Sequence, residues 1–141
     1  MKKIISVSLL FLFVATFFTS TGIAADKNKK STVSKSAKVE VYYFHFTRRC
    51  VTCQAVETES QKAIAALYPV QYKKGLVTFK SVNLDVKGSE VLASKCKVEG
   101  QALLVISGHK RIDLTDKGFM YAHSKPESLK EELKKTIDPL L

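Results

Sequence analysis

The chain has 141 residues, 45% of them apolar and 26% charged, and its 23 Lys and Arg against 13 Asp and Glu give a net charge of +10. That length holds one small domain around one core and leaves no room for a second catalytic module. Three cysteines permit at most one intramolecular disulfide, which excludes a scaffold stapled by several.

The N-terminus reads MKKIISVSLLFLFVATFF, two lysines followed by an uncharged run from Ile4 to Ser20, then Thr21-Gly22-Ile23-Ala24-Ala25. This is the composition of a secretory signal peptide, residues 1–24, with cleavage after Ala24 and Ala25 as the alternative. A retained anchor is the competing reading, but the run lies at or below the ~17–25 residues that span a bilayer. The expected location is therefore the periplasm or cell envelope, which permits disulfide chemistry. Residues 25–37, ADKNKKSTVSKSA, are too polar to bury surface and read as a flexible tether. Loss of Lys2 and Lys3 leaves a charge of +8, scattered or held in the tether. This predicts a solvated basic face and no nucleic-acid partner.

The folded part is expected over 38–141. Lys38 to Phe46, KVEVYYFHF, is rich in β-branched and aromatic residues and predicts an interior strand. Helical periodicity follows from Val51 to about Tyr68, with Cys53, Val56, Ala63, Ile64 and Leu67 on one face and Pro69 as its stop. Gly75 opens a second strand, LVTFKSVNLD, and Gly88-Ser89-Glu90 leads into a short helix that contains Cys96 and closes at Gly100. Ala102 to Ile106 is a third strand, Ser107-Gly108-His109 a turn, and Lys110 to Leu114 a fourth strand. Ser124-Lys125-Pro126-Glu127 has capping-box spacing ahead of a helix with Leu129, Leu133 and Ile137 on one face, stopped by Asp138-Pro139. The order β-α-β-α-β-β-α predicts an α/β domain with a four-stranded mixed sheet flanked by helices, two parallel crossovers and a terminal hairpin.

The chemistry concentrates in HFTRRCVTCQ, where Cys50 and Cys53 stand two residues apart behind Arg48 and Arg49. A CxxC opening a helix after a strand places Cys50 at the N-cap, where free amides and the helix dipole favour a thiolate; the two arginines add positive charge. Cys50 is then the attacking sulfur and Cys53, one turn on and less exposed, the resolving one. A structural disulfide and a zinc clip are the alternatives that spacing leaves open. Arg48 and Arg49 fit either docking of a substrate carboxylate or plain solvated loop charge.

Over Val39 to Ile137 these features resemble the thioredoxin-like superfamily: the strand–CxxC–helix unit, Val82-Asn83-Leu84-Asp85 at the end of the second strand, and Ala93 to Gly100 ahead of the third. More closely, YYFHFTRRCVTCQAVE with DLTDKGFMYAHSKPE resembles the exported bacterial family called nitrophenyl compound nitroreductase subunit ArsF. The resemblance implies thiol chemistry, an arsenic-resistance setting, and re-reduction by a membrane electron donor of the DsbD or CcdA type. Three departures from ordinary thioredoxins stand out. Arg49 replaces tryptophan and Val51-Thr52 replaces Gly-Pro; Phe44 replaces the buried acid beside the second cysteine; Gly100-Gln101-Ala102 replaces the cis-proline loop beside the active site. General protein-disulfide reduction is not expected; a dedicated partner or a small substrate is.

The expected protein is thus an exported, monomeric thiol–disulfide oxidoreductase or electron carrier whose only prosthetic element is the redox-active Cys50–Cys53 disulfide. The alternative is a non-enzymatic binder of a soft metal or metalloid through Cys50, Cys53 and Cys96. Its bland counterpart makes Cys96 a small buried hydrophobe. His45 is a conceivable fourth ligand but reads as strand packing, and His109 and His123 as surface residues.

Overall fold

The structure, a computed structural model, describes residues 38–141; the expected signal peptide and tether lie outside the described residues. Strand β1 spans Val39–His45 and helix α1 Val51–Leu67, followed by α2 Pro69–Lys73, β2 Val77–Asn83 and α3 Ser89–Lys95. The hairpin β3 Ala102–Ser107 and β4 Lys110–Asp113 then leads into α4 Thr115–Tyr121 and α5 Pro126–Ile137, with a closing 3-10 turn at Asp138–Leu140. The sheet order is β2-β1-β3-β4. Among the described residues no helix is long and apolar enough to cross a membrane.

Alternation along β1 divides the core. Val39, Val41 and Tyr43 face one side with Val77, Leu103 and Val105, and pack against Val56 and Ile64 of α1 and Leu129, Leu133 and Ile137 of α5. Tyr42 and Phe44 face the other side with Leu104 and Ala102, where Ala93 and Cys96 at the end of α3 cover them. Residues of α1, α2, α4 and α5 thus serve the first face, and the seven-residue α3 the second.

The mixed four-stranded sheet flanked by helices is the predicted architecture, but only one crossover is parallel. β1 pairs with β2 in parallel through α1, whereas β3 runs antiparallel to β1, Ala102 opposite Phe44. A seven-residue helix spans roughly 10 Å at ~1.5 Å per residue, and a seven-residue strand roughly 23 Å. Helix α3 does not run the length of a strand, and β3 starts at the end of the sheet where β2 stopped.

Three further local expectations change. Pro69 ends α1 as predicted, yet also opens α2 at its first position, where a missing N–H is harmless. Helix α4 is additional; Leu114 precedes it and Asp113 accepts the Thr115 N–H at 3.0 Å, so the aspartate closes β4 and holds the helix start together. The Ser124 capping box does not form. Lys125 is the N-cap of α5 without a side-chain bond, and the Ser124 hydroxyl donates instead to the Met120 carbonyl at 3.5 Å, because Ser124 sits in the tail of α4.

Candidate active site

β1 delivers the chain to the end of the sheet at His45, and α1 begins after five intervening residues. That short loop is held from the side. The Leu84 N–H donates to the His45 carbonyl at 2.7 Å, the Thr47 N–H to Asp85 Oδ2 at 2.7 Å, and Asn83 Nδ2 to Thr47 Oγ1 at 2.9 Å. The Thr47 N–H, and then its hydroxyl, hold the Asp85 carboxyl below the usual range. The VNLD segment therefore positions the residues that precede Cys50. Its role was not legible beforehand, because a clamp across 38 residues leaves no local pattern.

Cys50 is the N-cap of α1, extended at φ −77° and ψ 170°, and its sulfur accepts the Cys53 N–H at 3.4 Å. The first turn of α1 contains no acidic residue, so its positive end meets no competing anion there. The two sulfurs lie 2.8 Å apart, both as free thiols, with Cys50 exposed and Cys53 only 4% exposed. The Cys53 thiol, followed by the Cys53 and Thr52 amides, pulls the Cys50 thiol below its ordinary value. Burial, and then hydrogen bonding to Cys50, pushes Cys53 up. Of the two sulfurs, the exposed Cys50 is thus the easier to ionise and the buried Cys53 the harder.

The two arginines differ in their surroundings. Arg49 forms an ion pair with Glu57 one turn beyond Cys53, and Arg48 is exposed in the loop. The amides and the partner thiol are the largest contributions to the Cys50 shift, while the Arg49 guanidinium is committed to a carboxylate. Burial works to raise Glu57, and is outweighed by the Ser81 hydroxyl and Arg49, which hold it below the usual range. Phe44 is fully buried on the other face, stacked on Tyr42 at 5.8 Å, so no acid stands at that strand position. Glu57, on α1, is the carboxylate that pairs with Arg49.

His45 is 6% exposed and stacked on Tyr43 at 5.7 Å. Its Nδ1 lies 2.9 Å from the Phe46 carbonyl, which can only accept, so Nδ1 carries the proton; Nε2 lies 2.9 Å from Ser81 Oγ. The buried Tyr43 hydroxyl has no protein partner, and burial, followed by the neighbouring Cys53 charge, raises it. His109 and His123 are exposed.

The loop Gly100-Gln101-Ala102 reaches the CxxC edge of the sheet, since Ala102 pairs with Phe44. No described peptide bond is cis. Cys96 does not join the pair. It is 4% exposed and packs among Tyr42, Phe44 and Leu104 on the second face, whereas Cys53 rides on α1 over the first. Among the described residues no group of three His, Cys, Asp or Glu side chains comes together as a metal site. The three-thiolate arrangement is therefore not assembled: α3 carries Cys96 to the opposite side of the sheet.

No family model matches the chain, and no curated protein matches it. Among solved structures, thioredoxin O2 from Arabidopsis thaliana in its oxidised state superposes with a TM-score of 0.47 at 18% identity, over 76% of this chain and 77% of that one. A malarial protein superposes with a TM-score of 0.42 at 22% identity, over 67% of this chain and 96% of that one. The strand order β2-β1-β3-β4, the single parallel crossover and a CxxC capping the helix after β1 give this chain a thioredoxin-like fold.

Proposed function

We propose that the protein is a thiol–disulfide oxidoreductase or electron carrier working through Cys50 and Cys53. The observation that carries this is the cap itself: the Cys50 sulfur occupies the place of an N-cap oxygen, 2.8 Å from a buried second thiol. As a reductase, the Cys50 thiolate attacks one sulfur of a substrate disulfide, forming a mixed disulfide and releasing the other sulfur as a thiolate. Cys53 then loses its proton and attacks the Cys50 sulfur, closing the protein disulfide and releasing the second substrate thiolate. Two electrons pass from the protein dithiol to the substrate, and a dithiol donor must restore them.

A dedicated partner or small substrate suits the surroundings better than a broad clientele. Phe46 and Val51, 38% and 65% exposed, flank Cys50 with Arg48 between them in sequence. That is a small apolar and cationic contact surface, and the loop opposite it lacks a cis peptide. Export by the N-terminal segment, a membrane donor of the DsbD or CcdA type, and membership of the ArsF family belong to the same proposal, on the residues quoted for them.

The test is the rate of Cys50 alkylation by iodoacetamide against pH, together with the Cys50–Cys53 equilibrium in glutathione and dithiothreitol buffers. The expected result is a midpoint below the roughly 8.5 of a free thiol and reversible formation of one disulfide. An ordinary midpoint, or a pair that never oxidises, overturns the reading.

A further inference from the structure

The second face of the sheet carries a cavity that the thiol chemistry does not use. Between α3 and the β3–β4 hairpin lies a pocket of about 250 Å³, just under the ~300–1,000 Å³ of sites for drug-sized ligands. Its floor is apolar, made by Tyr42, Leu92, Cys96 and Ile106. Its rim is cationic. Lys95 and Lys97 stand on the α3 side and Lys110 and Arg111 on β4, and among the described residues none of the three lysines has an acidic partner.

Two details keep the rim positive. Glu40, the one acid in the lining, is already bonded to Lys38 at 3.2 Å and Lys80 at 3.1 Å. Arg111 is fixed by donating from Nε to the Cys96 carbonyl at 2.8 Å and is paired with Asp113 at 3.2 Å, so it shapes the mouth of the pocket while the three lysines carry its unpaired charge. Lys97 has φ 55°, the one left-handed non-glycine residue among those described, at a position past a helix end where glycine is usual. A lysine occupies a place where its backbone is strained, and that place lines the cavity.

The geometry points to a binding site for a small organic anion, an aryl or short-chain carboxylate whose apolar body fills the pocket and whose charge meets Lys95, Lys97 and Lys110. An apolar floor alone would admit any hydrophobe; the three unpaired lysines select the anionic ones. The site lies across the sheet from Cys50 and is independent of the proposed redox activity.

The test uses the full chain, titrated with 4-phenylbutyrate and with its neutral amide while backbone amide shifts are followed by NMR. Saturable shifts at Leu92, Cys96, Ile106 and Arg111 are expected, with the carboxylate binding at least tenfold more tightly than the amide. Lys95→Glu with Lys110→Glu should weaken the carboxylate about tenfold or more. Lys97→Gly relieves the strained backbone, so it should raise Tm while weakening binding, which separates loss of a ligand contact from loss of fold. A Cys50→Ser, Cys53→Ser double variant should bind as the parent does. Equal binding of acid and amide, shifts spread without saturation over the basic surface, or binding untouched by the charge reversals would overturn the site. So would a glutamate-rich peptide shifting these residues where 4-phenylbutyrate does not, since the face would then serve an acidic protein.

Discussion

At the level of single residues, the Cys53 thiol first and the helix-start amides next lower the pKa of Cys50. Its sulfur takes the Cys53 N–H and faces the Cys53 thiol, while Arg49 is held by Glu57. Arg49→Ala should therefore leave the alkylation midpoint of Cys50 nearly unchanged, and Cys53→Ala should raise it; a large upward shift in the arginine variant would put the guanidinium back in the mechanism. The Arg49–Glu57 pair contributes to stability instead, by roughly 1 kcal/mol for a half-buried pair. Glu57 has its folded-state pKa lowered, so that stability is present above its unfolded value of about 4.3 and is lost as pH falls through the lower folded value. The Tm difference between parent and Glu57→Gln should accordingly be largest near pH 7 and shrink below about pH 4. The CxxC was legible at once, because two cysteines at helical spacing after a strand admit few readings. The clamp at Asp85 and the carboxylate at Glu57 were not, because each acts through partners distant in sequence or on a helix face that looks solvated.

At the level of elements, α1 depends on an unusual cap. A cysteine sulfur does the work that serine or aspartate oxygens do at most helix starts. Cys50→Ser should keep the cap while abolishing redox cycling, whereas Cys50→Ala should lower stability by roughly 0.5–2 kcal/mol in chemical denaturation. Equal stability of the two variants would show that the cap bond contributes nothing. The close approach of α4 is a second constraint. A Cβ added at Gly118 would lie 3.1 Å from Leu103 and 3.3 Å from Val56, both fully buried. Gly118→Val should therefore lower stability by about 1–3 kcal/mol, the range of overpacked cores. The same glycine explains why α4 was missed: it interrupts an otherwise short helical stretch and reads as a turn. The longer elements were legible within a residue or two, since α1 and α5 have repeating apolar faces, β1 is rich in β-branched and aromatic residues, and β3 is a nearly continuous apolar run.

At the level of the whole molecule, the sheet is unevenly covered, and this decides both its topology and its softest part. Alternating strands and helices suggested two parallel crossovers, a pattern blind to the length of α3; that helix does not run the length of a strand, and β3 returns antiparallel to β1. The same shortness leaves α3 with a single buried residue, Ala93, and the Cys96 that follows it, whereas α5 buries Leu129, Leu133 and Ile137. A segment that buries little apolar surface opens at low free energy, independently of global unfolding. Native-state hydrogen exchange should show the amides of Leu92 to Cys96 opening at least about 2 kcal/mol below those of β1 and α1. The small acid proposed for the cavity binds only when α3 is closed over Tyr42, so saturating ligand should slow exchange in α3 and leave β1 unchanged. Exchange in α3 as slow as in β1 without ligand would mean that the second face is as firmly held as the first, and that so short a helix gains its stability from something other than buried area.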